Sequence, residues 1–385
     1  MGSGTPELPD DLRAYLADDR RPAGTGRMLP GSAYTSAAVL DWELEHVFAG
    51  GWVCLGRGRE LADGRTHRTT RVGRVGVLLT FAGSGPRAFA NVCRHRAHEL
   101  LPEGDGSAKP AVVCPYHGWS YRLDGALLAA PGFHDVEGFD PVAYGLVSLP
   151  LADWHGWLFV NADAKARAFE EHVGALADLL APYHAGTLAL GARHDYEVAA
   201  NWKIITENFH ECYHCPLIHP ELCRVSPPAS GHNFDLPGEW VGGVMDLRDG
   251  ADTMSLDGAS RGAPIDGLAG GQLHTVLYVG LYPDLLVSAH PDYVMTHRMD
   301  PLGPDRTRVE CSWYFPAAVT ERPGFDPAYA VDFWDLTNRQ DWAACESVQR
   351  GVSSPHYRPG PLGPTEDAVG RFVAMGAAAY LGATG

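Results

Sequence analysis

Two short loops constrain this chain more than anything else in it. Cys93-Arg94-His95 and Cys114-Pro115-Tyr116-His117 each close a stretch of β-like sequence, with 18 residues between His95 and Cys114. Two thiolates and two imidazoles suit a zinc ion, or a [2Fe–2S] cluster carrying two Cys on one iron and two His on the other. A zinc finger takes both cysteines from one knuckle and both histidines from a helix. Here each loop offers one of each, which suits two similar loops clamping a two-iron cluster and each touching both irons. A structural zinc ribbon is the alternative. His98 stands outside the pattern and reads as a surface or hydrogen-bonding histidine.

The sequence around these loops is β-like. Short runs at 52–55, 74–80, 88–93, 112–114 and 157–160 lie between glycines, the signature of a small all-β domain. At 385 residues the chain has material for two domains. The organisation expected is an N-terminal arm with an entry helix packing on the second domain (1–50), the β domain (51–161) and a second domain (162–385). Residues 1–30 read as a loosely held arm, and 36–48 as a helix ended by Gly50-Gly51. The second domain opens with an amphipathic helix at 168–183 and a strand near 195–199. Loops rich in Gly, Pro, Ser and Asp follow at 224–272. Strands are expected at 273–279, 285–290, 293–299 and 307–315, the last alternating Val309, Cys311, Trp313 and Phe315 on one face. Helices at 327–350 and 365–381 close the chain.

Thirty basic against 47 acidic residues give a net charge of −17, which disfavours nucleic acid and anionic membranes as partners. The N-terminus has no basic-then-apolar leader pattern, and the apolar tail at 372–383 is too short to span a bilayer. The location expected is cytoplasmic. Eight cysteines in such a chain read as ligands or buried thiols rather than a disulfide framework. No Gly-rich phosphate loop appears.

A second constellation lies in residues 201–220, NWKIITENFHECYHCPLIHP, which gather Glu211, His214 and His219. On a continuous helix two residues five apart point about 140° apart, so the histidines converge on one metal only if the helix stops between them. Pro216 is expected to supply that stop, with Pro220 stiffening the chain beyond His219. The bland alternative is a helix end with two surface histidines. Cys212 and Cys215 raise a zinc possibility but are expected to be packed thiols.

A two-His iron site needs a carboxylate from elsewhere. On the helix 327–350, a turn of about 100° per residue gathers Val331, Trp334, Cys345 and Val348 on one face, with Asp341 among them. Asp332, Asp335, Arg339 and Glu346 cluster on the opposite side. Asp341 thus sits within the apolar stripe, where an unpaired carboxylate is costly and a metal is the strongest partner. A core Asp satisfied by hydrogen bonds is the alternative.

The strings NVCRHRAHEL and CPYHGWSY resemble the Rieske domain of ring-hydroxylating oxygenase alpha subunits, with a spacing slightly longer than usual that a loop at 103–109 accommodates. Residues 201–220 resemble the catalytic motif of that family. The resemblance covers nearly the whole chain. It implies an α+β protein: an all-β Rieske [2Fe–2S] domain plus a helix-grip (START/Bet v 1-like) catalytic domain. It implies a cluster on Cys93, His95, Cys114 and His117, and mononuclear Fe(II) on His214, His219 and Asp341. Glu211 is then the carboxylate that bridges to a neighbouring subunit's cluster. Many relatives have Asp there, with Glu in a subset acting on quaternary amines. A homotrimer is implied, with O2 as co-substrate and electrons from a separate NAD(P)H-dependent reductase (flavin and iron–sulfur) or a ferredoxin.

ENFHECYHCPLIHP and DFWDLTNRQDWAACESVQRGVSS look most like the branch that demethylates glycine betaine and similar quaternary ammonium compounds. Such a cation is held over aromatic faces, with Phe209, Tyr278 and Tyr293 as candidates beside Trp240 and Tyr282. Alternatives are an aromatic-ring hydroxylating mono- or dioxygenase, and a Rieske electron-transfer protein without oxygenase activity. The length of chain after the cluster loops argues against the electron carrier.

Overall fold

The computed structural model describes residues 8–18, 26–83, 85–104 and 106–382. Parts of the expected arm at 1–30, one residue of the 103–109 loop and the end of the apolar tail lie outside them. The chain forms two compact units, one of residues 43–169 and one of residues 1–42 with 170–385.

The sheets of the 43–169 unit are all antiparallel. A five-stranded sheet orders Ser148–Leu149, Gly85–Ala90, Val75–Ala82, His67–Val72 and Gly106–Ser107. Two three-stranded sheets complete it, one ordering Leu151–Trp154, Trp157–Val160 and Val53–Arg57, the other Ala111–Val113, Ser120–Arg122 and Leu127–Ala129. Leu78, Phe89, Leu100, Trp119, Tyr121 and Leu146 form a buried cluster that includes Cys93 and Cys114. The metal-type loops are therefore rooted in the core of their unit.

The other unit is a seven-stranded antiparallel sheet holding one long helix, Ala328–Val352. The sheet orders Leu188–Val198, Arg306–Pro316, Val294–Gly303, Leu285–Ala289, Thr275–Leu281, Trp240–Asp246 and His232–Asn233. Val309, Cys311, Trp313 and Phe315 are all fully buried, as their alternation requires. Polar contacts fix the helix to the strands. Tyr196 Oη donates to Asp335 Oδ1 at 2.6 Å, His297 Nε2 donates to Asn338 Oδ1 at 3.0 Å, and Trp334 Nε1 donates to Tyr293 Oη at 2.7 Å.

Three elements differ from the sequence reading. The expected 168–183 helix is broken into Phe169–Val173, Leu176–Leu180 and a 3-10 turn at Ala181–Tyr183. Gly174 adopts φ +46° where it meets Pro237 so closely that a Cβ would strike the Pro237 carbonyl, and Ala175 donates to that carbonyl at 2.9 Å. The strand Trp240–Asp246 lies inside the stretch read as loop. Gly242 and Gly243 are there for close approach, since Cβ atoms would strike the Tyr278 and His232 carbonyls. The arm contains a helix, Asp10–Ala17, with Leu12 fully buried and Arg27 both 3.1 Å from Asp18 and over the Tyr15 ring at 4.3 Å.

The helix Trp202–Phe209 starts at Asn201, whose side chain accepts from Lys203 N at 3.0 Å and donates to the Tyr34 and Pro304 carbonyls. In its last turn, buried Glu207 accepts from Tyr34 Oη at 2.8 Å. Burial pushes the Glu207 carboxyl up to about 8, against the pull of Tyr34 and Lys203. The folded state therefore holds more protons than the unfolded chain between about pH 4.5 and 8, and stability falls as pH rises through that window. Glu207→Gln removes the effect. In melting experiments the wild type should lose several degrees relative to Glu207→Gln between pH 5 and pH 8.5, whereas a pH-independent difference would contradict it.

Candidate metal centres and the cavity beside them

The two Cys/His loops are built alike. In each, the Cys carbonyl accepts from the amide four residues on, Ala97 and Gly118, both at 3.1 Å. In each, the Cys amide donates to the carbonyl five residues on, His98 at 2.9 Å and Trp119 at 2.7 Å. The fourth residue has positive φ in both, +55° at Ala97 and +73° at Gly118. A non-glycine residue adopts that region reluctantly, so the hydrogen bonds of the first loop dictate its turn. The His98 carbonyl closes this turn, while its exposed ring contacts the Glu99 carbonyl and the Tyr116 ring.

This geometry sorts the ligand types. Cys93 and Cys114 are buried, while His117 is exposed and His95 half-buried. The two rings meet edge to face with centroids 4.6 Å apart, and His95 stacks on Trp119 at 4.9 Å. Sulfurs inside and imidazoles outside match a two-iron cluster with an inner thiolate-held iron and an outer imidazole-held one. Tyr121 Oη accepts from Arg94 N at 3.0 Å and so turns its proton to Cys93 Sγ, 3.2 Å away. Hydrogen bonds to ligand sulfur stabilise the reduced, more negative cluster. Tyr121→Phe should lower the cluster potential by on the order of 40 mV. Redox titration of the visible spectrum measures this, and an unchanged potential would refute the contact.

The second constellation forms differently from the expectation. The helix Trp202–Phe209 stops well before His214, and Pro216 lies in the first turn of a new short helix, Cys215–Ile218. A missing N–H is harmless in a first turn, so this proline starts a helix instead of ending one. His219 closes that turn with φ −118° ahead of Pro220, which opens the helix Pro220–Val225. Glu211 sits in the non-helical link between the two helices. Its Oε2 accepts from the amides of Tyr213 and His214, and its Oε1 from His214 Nδ1 at 2.5 Å. Cys212 and Cys215, expected as thiols, are joined as a disulfide, because the link brings their Cα atoms to 4.9 Å. That pairing removes both thiolates as competitors for a metal at the histidines.

His214 Nε2 and His219 Nε2 lie 3.2 Å apart, and Asp341 Oδ1 is 3.4 Å from the first and 2.8 Å from the second. The three groups offer donor atoms within 4.8 Å of one another. Both Nδ1 atoms are occupied elsewhere. His219 Nδ1 donates to Gln340 Oε1 at 2.7 Å, and Gln340 is oriented by donating to Glu221 Oε2 at 3.4 Å. With protons on Nδ1, the Nε2 lone pairs converge on one point, an arrangement that needs a cation between them. Burial opposes charge, yet the hydrogen bonds that Asp341 and Glu211 accept raise His214 to about 9, and those from His214 and His219 hold Asp341 below its usual range. The carboxylates thus draw positive charge to the point between the rings, where a proton stands when no metal does. Two imidazoles and one carboxylate on one side, with the other open, fit ferrous iron that reacts with oxygen.

The buried face of the long helix is not the apolar stripe expected. Val348 is 45% exposed, while Thr337, Asn338 and Gln349 are buried beside Trp334 and Cys345. Gln349 is inside because its Oε1 accepts from Asn201 N at 2.9 Å. Asp341 still reaches the centre, from the edge of that face. Gln340, which holds His219, carried no signal in the hydrophobic periodicity.

A cavity of about 590 Å³ opens beside the triad. Phe209 and Tyr278 line it as expected, and so does Trp334, which sequence reasoning used only as a helix marker. Phe209 and Tyr278 have centroids 6.1 Å apart, Tyr278 and Trp334 6.3 Å. Tyr293 is not in the wall. Fully buried, it donates to the Met254 carbonyl at 2.8 Å and accepts from Trp334 Nε1, so it holds Trp334 from behind. Trp240 is buried with its indole N–H on the Pro237 carbonyl, and Tyr282 packs on Trp202 and Phe372.

Residues 185–382 match the profile of the ring hydroxylating alpha subunit (catalytic domain), and residues 51–140 that of the Rieske [2Fe–2S] domain. The glycine betaine monooxygenase oxygenase subunit of Chromohalobacter salexigens is 30% identical, covering 94% of this chain and 88% of its own. The chloroplastic choline monooxygenase of Beta vulgaris is 29% identical over 92% of this chain and 78% of its own. A quaternary ammonium Rieske monooxygenase, CntA, solved with L-carnitine superposes with a TM-score of 0.74 at 27% identity, covering 97% of this chain and 99% of that one. Fold and sites together define a Rieske-type oxidoreductase with a [2Fe–2S] domain and a catalytic domain of the kind that carries mononuclear iron. The chain belongs to the ring-hydroxylating oxygenase alpha-subunit family, as its motifs led one to expect. Among the described residues no helix is long and apolar enough to cross a membrane.

Proposed function

We propose that this protein is the terminal oxygenase of a Rieske monooxygenase that removes a methyl group from a quaternary ammonium compound. The observation that carries the reading is the row of Phe209, Tyr278 and Trp334 along a cavity that ends at His214, His219 and Asp341. A quaternary ammonium has no proton to donate and is held by aromatic faces. The names of the relatives support the same chemistry.

Cys93, His95, Cys114 and His117 hold the cluster, and His214, His219 and Asp341 hold ferrous iron. Iron so placed supplies reductive activation of O2 with electrons from a separate reductase. The protein's own groups do the rest. Gln340 and Glu211 fix the two imidazoles with Nε2 inward, and the aromatic row presents an N-methyl to the triad. Hydroxylation of that methyl yields a carbinol whose C–N bond breaks, releasing formaldehyde and the tertiary amine. Glu211, already bonded to His214, is the link to the cluster of a neighbouring subunit in a homotrimer.

Two experiments test the reading. The holoenzyme should contain about three irons per chain and Asp341→Ala about two, with the cluster spectrum retained. Two irons in the wild type would reduce the protein to an electron carrier. With a compatible reductase, NADH and O2, N-methyl cations should yield formaldehyde. Hydroxylation of aromatic acids without formaldehyde from any N-methyl compound would overturn the proposal.

A further inference from the structure

The cavity wall contains carboxylates and imidazoles but, among the described residues, neither lysine nor arginine. Glu211 and Asp341 are engaged with the histidines, which leaves Asp367 as the one carboxylate of the described wall not tied to the triad. It opens the helix Asp367–Tyr380, and its Oδ1 accepts from Asn233 Nδ2 at 2.7 Å. Asn233, Thr365 and His232 line the same region, with His232 exposed. The guanidinium one helical turn on, Arg371, is outside the wall. It donates to the Phe234 carbonyl and lies 3.6 Å from Asp235. His210, also in the wall, is pushed down to about 3, by burial first and by Arg371 second, so it stays neutral.

Away from the metal triad, a carboxylate drawn into such a cavity meets no lysine or arginine among the described wall residues and meets Asp367 as a like charge. A hydroxyl can instead donate to Asp367. Resting on the functional reading above, we propose that the substrate is a quaternary ammonium cation whose far end is a hydroxyl or another neutral hydrogen-bonding group, with Asp367, braced by Asn233, selecting against carboxylate-bearing betaines. The aromatic row then recognises the methyls, and Asp367 reads the other end of the molecule.

The test measures choline, propyltrimethylammonium and glycine betaine on the iron-loaded holoenzyme. Calorimetry without reductant should show choline binding at least about tenfold more tightly than glycine betaine, with the propyl cation between them. Equal or tighter binding of glycine betaine overturns the inference. Asp367→Asn, nearly isosteric, should narrow the choline-to-betaine ratio at least about fivefold, through KM rather than kcat where turnover is seen. A ratio unchanged in Asp367→Asn with an unaltered melting temperature removes Asp367 from the role. Binding preference and formaldehyde release are separate readouts. If choline is preferred and no cation yields formaldehyde, the demethylase reading fails while the selectivity stands.

Discussion

Two imidazoles aimed at one point beside a carboxylate form an arrangement that a cation at that point completes. His214 Nε2 and His219 Nε2 face each other at 3.2 Å, with Asp341 Oδ1 beside them. Much of the catalytic unit serves to hold that arrangement. Gln340 and Glu211 take the Nδ1 protons, so neither ring can turn its lone pair away. Asn201 and Gln349 join the start of the helix Trp202–Phe209 to the end of the long helix. The sheet fixes the long helix through Tyr196, His297 and Tyr293. These contacts are polar and directional, which suits a helix that must deliver one carboxylate to within a few tenths of an ångström.

The other unit solves a similar problem by duplication. Two loops distant in sequence share the same pair of backbone hydrogen bonds and the same left-handed residue four past the cysteine. Repeating one turn points both cysteines inward and leaves both histidines at or near the surface. The cluster that suits this polarity has its charge-accepting iron near solvent, where electrons enter and leave.

Legibility from sequence was high where a residue's role depends on near neighbours. The Cys/His loops, the His214–His219 pair and the alternating strand at Val309–Phe315 could be read because ligand type, spacing and period are local properties. Reading failed where a distant partner decides. Gly174 breaks a helix because Pro237 lies against it, and Gly242 and Gly243 form a strand because Tyr278 and His232 approach them. Gln349 is buried and Val348 exposed, since Asn201 needs an acceptor. Tyr293 was assigned to the cavity on the strength of being aromatic, and its partners place it behind the wall.

The amino-acid sequence by itself determined the family, because that is written in short motifs, and it named the metal-type residues of the two candidate sites. Tertiary structure alone decided how His214 and His219 converge, through a helix that ends at Phe209 and another that begins around Pro216. It decided that Cys212 and Cys215 pair, that Trp334 lines the cavity, and that no fixed positive charge stands among the described residues of the cavity wall. Each of these depends on which groups meet across the fold, and a linear pattern does not contain that information.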